Sequence, residues 1–222
     1  MPEPDNQIHA VVFDMDGVLI DSHPAHRAAW REFLRLMGRE VSELELAFIL
    51  DGRQRAEILR HFFGHLDDQE LQDYGRRKDE IFRGMERHIA PVRGVLDFIT
   101  ELNRRGIVMA VATSASEIRT FSTIERMGLG GCFAAVITAS DVLAGKPDPA
   151  VYQLACKRMG IAPYAALAFE DASAGIEAAK SAGMRCIGVA RNGLTASLLQ
   201  SGAERVIPHF EGLALDFLAQ AA

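Results

Sequence analysis

Positive charge is in short supply in this chain: Lys and Arg number 24 against 30 Asp and Glu, for a formal net charge of −6. That balance excludes nucleic acid or an anionic membrane as the main partner. No apolar run approaches the length of a membrane span. The opening stretch, "MPEPDNQIHA", lacks both a basic start and an apolar segment, so no secretory leader is expected there. Cysteine is scarce too. Cys132, Cys156 and Cys186 are odd in number, widely spaced, and not joined by histidine at a metal-ligand spacing. Each sits among small apolar residues, so buried reduced thiols are expected and the cytoplasm is the expected compartment. Internal repeats and low-complexity linkers are absent as well, and the organisation has to be read from hydrophobic period.

That period divides the chain. Residues 8–14, "IHAVVFD", read as a buried parallel strand. From 22 to 90 the pattern is helical throughout. Ser22-His23-Pro24 has the form of a cap followed by a first-turn proline, and Ala29, Trp30, Phe33, Leu34 and Met37 make one apolar stripe that Gly38 ends. Further helices are expected at 43–50, 55–64 and 67–89. From 91 onward helix and strand alternate. "VLDFITELNRRG", "IRTFSTIERMG", "PAVYQLACKRMG" and "AGIEAAKSAG" read as helices; "IVMAVAT", "FAAVITA", "ALAFED", "RCIGVA" and "RVIP" read as strands. Such alternation implies right-handed βαβ units, an α/β fold with a Rossmann-like parallel sheet and helices on both faces. The strand at 8–14 belongs to that sheet. The expected domains are a catalytic core, 1–21 with 91–222, and an all-helical cap inserted at 22–90.

Ligands of open α/β sheets bind beyond the carboxyl ends of the strands. Here those ends carry Asp14, then Thr113 and Ser114, then Lys146 in "GKPDP", then Glu170-Asp171. Any one of these can be a helix cap or a solvated loop charge. All of them at successive strand ends describe a site.

Clustered carboxylates repel, and burying them is costly unless a cation neutralises them. A divalent ion among Asp14, Asp16 and Asp171 removes that repulsion, and hard oxygen ligands suit Mg²⁺. The same charge would receive a phosphate, with Lys146 and Thr113 holding the other phosphoryl oxygens. Asp14 can attack phosphorus to form an acyl phosphate, while Asp16 gives a proton to the leaving oxygen and later takes one from water. Gly17 allows the sharp turn after Asp16. Metal-activated water would use the same cluster.

The stretches "DMDGVLIDS", "VATSAS", "GKPDP" and "FEDASAGIEAAKSAGM", in this order, resemble the four motifs of the haloacid dehalogenase-like superfamily. The resemblance covers nearly the whole chain. It implies a Rossmann-like core with a helical cap after the first motif, Asp14 as nucleophile and Asp16 as general acid/base. It also implies Thr113 and Lys146 as phosphate ligands. Mg²⁺ would be held by Asp14, the Asp16 carbonyl and Asp171, with Glu170 in support. True haloacid dehalogenases lack the second aspartate of the first motif, so Asp16 points to phosphoryl transfer.

The helical insertion would choose the substrate. Lys78 falls on an apolar stripe formed by Leu71, Tyr74, Ile81, Phe82, Met85 and Ile89, and there it either snorkels outward or points into a shared cleft. Arg55 opens a helix after Gly52, a place that attracts anions, and Arg53 lies close by. His26 precedes Trp30 by one turn. By resemblance, His26, Arg55 and Lys78 match residues of the β-phosphoglucomutase-like subfamily that touch the sugar phosphate, and "HRAAW" is similar to that subfamily. The mutases carry Lys-Asn after the second motif where this chain has Ser116 and Glu117, and an acid there opposes a second phosphate. A phosphatase for a small phosphorylated sugar is therefore expected, with a β-phosphoglucomutase as the alternative. The expected partners are the phosphate ester and at most a second copy of the chain, as a monomer or weak homodimer.

Overall fold

The computed structural model describes residues 7–49, 55–190, 194–213 and 215. The chain divides into two compact units, residues 1–20 with 91–222 and residues 21–90. The larger unit holds six strands: β1 (Ala10–Phe13), β2 (Val108–Ala112), β3 (Ala135–Ile137), β4 (Ala166–Glu170), β5 (Arg185–Val189) and β6 (Arg205–Ile207). They form one parallel sheet in the order β3-β2-β1-β4-β5-β6. The chain runs outward from β1 in one direction and, after β3, resumes on the other side at β4. The order therefore reverses between β1 and β4, where a crevice opens beyond the strand ends.

Period-two alternation sorts the strand residues onto two faces. Ala10, Val12, Ala110, Ala112, Ala166 and Ala168 pack into one core with residues of α7 (Ala150–Met159) and α8 (Ser173–Ser181). These small side chains let the helices approach closely. The opposite face is aromatic. Phe13 stacks on Phe169 at 5.6 Å between ring centroids, and Phe98 of α5 (Val95–Arg104) meets both edge-on. Among the described residues this unit also holds α6 (Glu117–Arg126) and the short α9 (Thr195–Gln200); the residues of α9 carry no strong apolar period.

The smaller unit contains α1 (His23–Leu36), α2 (Glu43–Ile49), α3 (Arg55–Phe63) and α4 (Asp68–Arg83). Trp30, Phe33 and Leu34 of α1 meet Leu46, Ile58, Leu59 and Phe62 in a separate core. Asp67 caps α4 through the N–H of Glu70, whose carboxylate accepts the Asp67 N–H in return. Two expectations need correction. Ser22 is not a side-chain cap: its backbone is already helical and its buried hydroxyl accepts nothing from α1. The 67–89 helix breaks after Arg83 and resumes as a short 3₁₀ turn at Glu86–His88, with Gly84 weakening the segment. The apolar stripe of α4 faces the core as expected: Gly75, Lys78 and Phe82 are buried along it, and Leu71, Tyr74 and Ile81 are half-buried against the same core.

Candidate active site

Asp14 follows the last residue of β1, and its N–H bonds the Phe169 carbonyl of β4 at 3.0 Å. Buried strands on both sides fix its backbone at the β1/β4 crevice. Three residues on, Gly17 adopts φ +73 and its N–H reaches forward to the Ile20 carbonyl at 2.8 Å. This tight turn sets the backbone of Asp16 beside the crevice. Thr113 directly follows β2 and is buried; its hydroxyl accepts the Ala115 N–H at 3.1 Å. Ser114 is exposed.

Lys146 comes from the loop before α7, yet its ammonium lies at the centre of the crevice. It donates to Asp14 Oδ1 at 2.5 Å, to the Ala112 carbonyl at 3.1 Å, and to Glu170 Oε1. Glu170 is almost wholly engaged. Its Oε1 also accepts the Tyr152 hydroxyl at 2.6 Å, and its Oε2 accepts the N–H groups of Asp171 and Ala172 at 3.1 and 3.4 Å. Gly175 makes room for this carboxylate, since a Cβ there would stand 2.0 Å from it.

Asp14, Glu170 and Asp171 each offer an oxygen within 4.8 Å of the others, the one grouping of acidic, histidine or cysteine ligands of this kind among the described residues. The Lys146 ammonium pairs with two of these three carboxylates. Burial therefore pushes the Asp14 carboxyl well above the usual range despite Lys146, and Glu170 and Asp171 push it further in the same direction. The two carboxylates beside Lys146 outweigh its own burial and raise its pKa, so it stays an ammonium. Tyr152 is raised by burial and by Glu170, which keeps it a neutral donor. A deficit of positive charge among buried hard oxygens fits a divalent cation, and that ion would draw Asp14 back to its ionised form.

Asp16 stands apart from this cluster. Its carboxylate was expected around the ion, but both of its oxygens are taken by Arg119 of α6, at 2.7 and 2.5 Å. Arg119 and Tyr152 are the residues that the sequence did not single out. Arg119 lies two positions after Glu117 and faces the crevice, whereas Ser116 and Glu117 are exposed.

In the smaller unit, Lys78 is 4% exposed, which rules out snorkelling to solvent. Its ammonium is 3.1 Å from His26 Nδ1 and lies over the rings of Phe82 and Trp30, 4.8 and 5.5 Å from their centroids. His26 stacks on Phe82 at 4.1 Å. Arg55 passes over Gly75, where a Cβ would meet its Nη1 at 2.7 Å, and pairs with Asp79 at 3.0 Å. Arg53 lies outside the described residues.

Residues 8–183 match the haloacid dehalogenase-like hydrolase family. The chain belongs to that family. The hydrolase is 36% identical over 223 residues to protein CbbY of Cereibacter sphaeroides, covering 93% of this chain and 94% of that protein. A phosphorylated carbohydrates phosphatase of Thermotoga maritima is 30% identical over 207 residues, 90% of this chain and 94% of that one. A beta-phosphoglucomutase of Bacillus subtilis is 28% identical over 222 residues, 94% and 93% of the two chains. Among solved structures, CbbY from Rhodobacter sphaeroides in complex with phosphate superposes with a TM-score of 0.80 at 30% identity, covering 96% of this chain and 99% of that one.

Proposed function

We propose that this hydrolase is a Mg²⁺-dependent phosphatase that hydrolyses a small phosphorylated metabolite, a sugar phosphate, through an aspartyl-phosphate intermediate. The observation that carries this is a buried Asp14 held by Lys146 beside Glu170 and Asp171 at the switch point of the sheet. The similarity to a phosphorylated carbohydrates phosphatase supports the substrate class. Asp14 and Asp171 would hold Mg²⁺, with Glu170 fixing Lys146 next to them. When bound, the ion supplies charge that neutralises the carboxylates and the phosphoryl oxygens.

The roles of the side chains follow from their chemistry. Asp14, anchored by the β1 backbone, presents its free oxygen to phosphorus and displaces the ester oxygen. Lys146, Thr113 and Ser114 hold phosphoryl oxygens. Asp16 protonates the leaving oxygen and then takes a proton from the water that opens the acyl phosphate. His26, Arg55 and Lys78 belong to a substrate-selecting unit, residues 22–90 in the proposed division. There the aromatic rings around Lys78 and the pairing of Arg55 with Asp79 hold two cations in defined places.

A mutase is the second reading, favoured by the similarity to beta-phosphoglucomutase. It requires a sugar hydroxyl rather than water to accept the phosphoryl group. One experiment separates the two. Phosphorylated sugars are screened for phosphate release, and β-glucose 1-phosphate with a trace of the 1,6-bisphosphate is followed for both products. Phosphate release without isomerisation is expected. Rapid glucose 6-phosphate formation with far slower phosphate release would overturn the phosphatase. Asp14→Asn should remove turnover by many powers of ten while leaving the protein folded, and chelation should abolish activity that Mg²⁺ restores. Full activity after exhaustive chelation would remove the metal from the proposal.

A further inference from the structure

A general acid has to present one oxygen to the leaving group at a defined angle, and Asp16 has a side-chain partner able to set that angle. Its backbone is fixed by the turn from Asp16 to Ile20, but its side chain lies outside the Asp14, Glu170 and Asp171 cluster. Arg119, 103 residues away in sequence, holds the carboxylate by both oxygens. Nη1 donates to Oδ2 at 2.7 Å and Nη2 to Oδ1 at 2.5 Å. This is a two-pronged contact between planar groups, and it fixes the plane of the carboxylate as well as its position. The pair is largely shielded, with side-chain exposures of 16% for Arg119 and 27% for Asp16, so water competes less than at an open surface.

The support behind Arg119 is rigid. It sits in the first turn of α6, where the Thr120 N–H and hydroxyl both donate to the Ser116 carbonyl, at 3.0 and 2.9 Å. Thr120, Thr123 and Ile124 are buried beneath the helix. A guanidinium on a packed helix thus meets a carboxylate on a tight turn. Neither needs to be ordered by the substrate.

We infer that Arg119 is a positioning residue, aiming the Asp16 carboxyl at the leaving oxygen and so setting which leaving groups the enzyme can expel. This rests on the proposed role of Asp16 as proton donor. In the step concerned, Asp14 forms a bond to phosphorus as the phosphorus–oxygen ester bond breaks. Asp16 first takes a proton from solvent on the oxygen that will face the ester; that proton passes to the departing oxygen, leaving Asp16 a carboxylate. One Asp16 oxygen turns to the leaving group and exchanges its Arg119 contact for it. The other keeps its N–H bond, and the plane is preserved. Alkyl leaving groups such as sugars need that proton; aryl leaving groups such as 4-nitrophenolate do not. The consequence is selectivity among esters by leaving-group basicity, residing in the core rather than in residues 22–90.

The test compares kcat/KM for a sugar phosphate and for 4-nitrophenyl phosphate in the wild type, Arg119→Met, Arg119→Lys, Asp16→Asn and the Asp16→Asn/Arg119→Met double variant. The ratio of the two constants does not depend on how much of a preparation is folded. Arg119→Met should lower the sugar/aryl ratio by about 10-fold or more, part of the roughly 10²–10⁴-fold that a placed proton donor contributes. Arg119→Lys should recover part of it. In the Asp16→Asn background the Met substitution should leave the ratio where Asp16→Asn alone puts it. A crystal structure of Arg119→Met should show the Asp16 side chain spread over more than one rotamer. An unchanged ratio in Arg119→Met, beside a shifted ratio in Asp16→Asn, would overturn the role of Arg119 alone. An unchanged ratio in Asp16→Asn would instead overturn the proton-donor role itself.

Discussion

Gly175 should not tolerate the smallest possible side chain. It lies in α8, in a conformation open to other residues, so on helix propensity alone Gly175→Ala would stabilise by about 0.5–1 kcal/mol. Space decides otherwise. The new Cβ would stand 2.0 Å from both Cδ and Oε1 of Glu170 and 2.3 Å from Oε2, where ordinary contact begins at 3.4 Å. The carboxylate would have to retreat by 3.4 − 2.0 = 1.4 Å. It cannot do so cheaply, because it is 1% exposed and holds Lys146, Tyr152 and the N–H groups of Asp171 and Ala172. Losing two contacts to a charged group costs about 3–6 kcal/mol, so the net effect is a loss of about 2–5 kcal/mol. At roughly 2–4 °C per kcal/mol, the thermal midpoint of the larger unit should fall by about 4–20 °C. Activity should fall with it, since the displaced carboxylate is a partner of Lys146. Gly130→Ala is the control. It is exposed, has nothing within 4 Å of its Cβ, and should change stability by less than about 0.5 kcal/mol. A Gly175→Ala protein that melts at or above the wild-type temperature would refute the packing reasoning.

Burial pushes the Cys156 thiol up to about 11 and raises Cys186 further, so in the native protein only the half-buried Cys132 should react promptly with a thiol reagent at neutral pH, and all three should react after denaturation. Prompt modification of two or more thiols in the folded protein would contradict this. Glu101 accepts hydrogen bonds from Arg104 and Arg105, which lower its carboxyl from 4.5 to about 2. Its folded-state value is depressed, so its small contribution to stability is fully present above the unfolded value and is lost as pH falls towards about 2. A carboxyl NMR titration should place its midpoint well below the ordinary glutamate value of 4.5, and a midpoint above 4 would show that these contacts do not hold in solution.

The parts of this molecule that a sequence discloses are those governed by period and by chain order. Alternation of helix and strand after residue 91 specified a parallel sheet, and the small and aromatic residues of β1 and β4 fall on opposite faces because the strand period is two. Chain order also puts Asp14, Thr113 and Glu170-Asp171 at consecutive carboxyl ends, where the structure holds them. Contacts that depend on how far a long side chain reaches are another matter. Arg119 was invisible because its partner is 103 residues away and its neighbour Glu117 suggested an acidic loop; only the rotation of α6 turns Glu117 to water and Arg119 to Asp16. Tyr152 reads as one more apolar position of α7, and its hydroxyl gains meaning only when Glu170 is found 2.6 Å away. The direction of Lys78 on the α4 stripe stayed open for a related reason. Hydrophobicity ranks Leu71 and Ile81 above Lys78, but a lysine ringed by Trp30, Phe82 and His26 can be buried where an isolated one cannot. Each of these residues is charged or polar and takes its place from a specific partner, which is a property of pairs and so cannot be read from one position at a time.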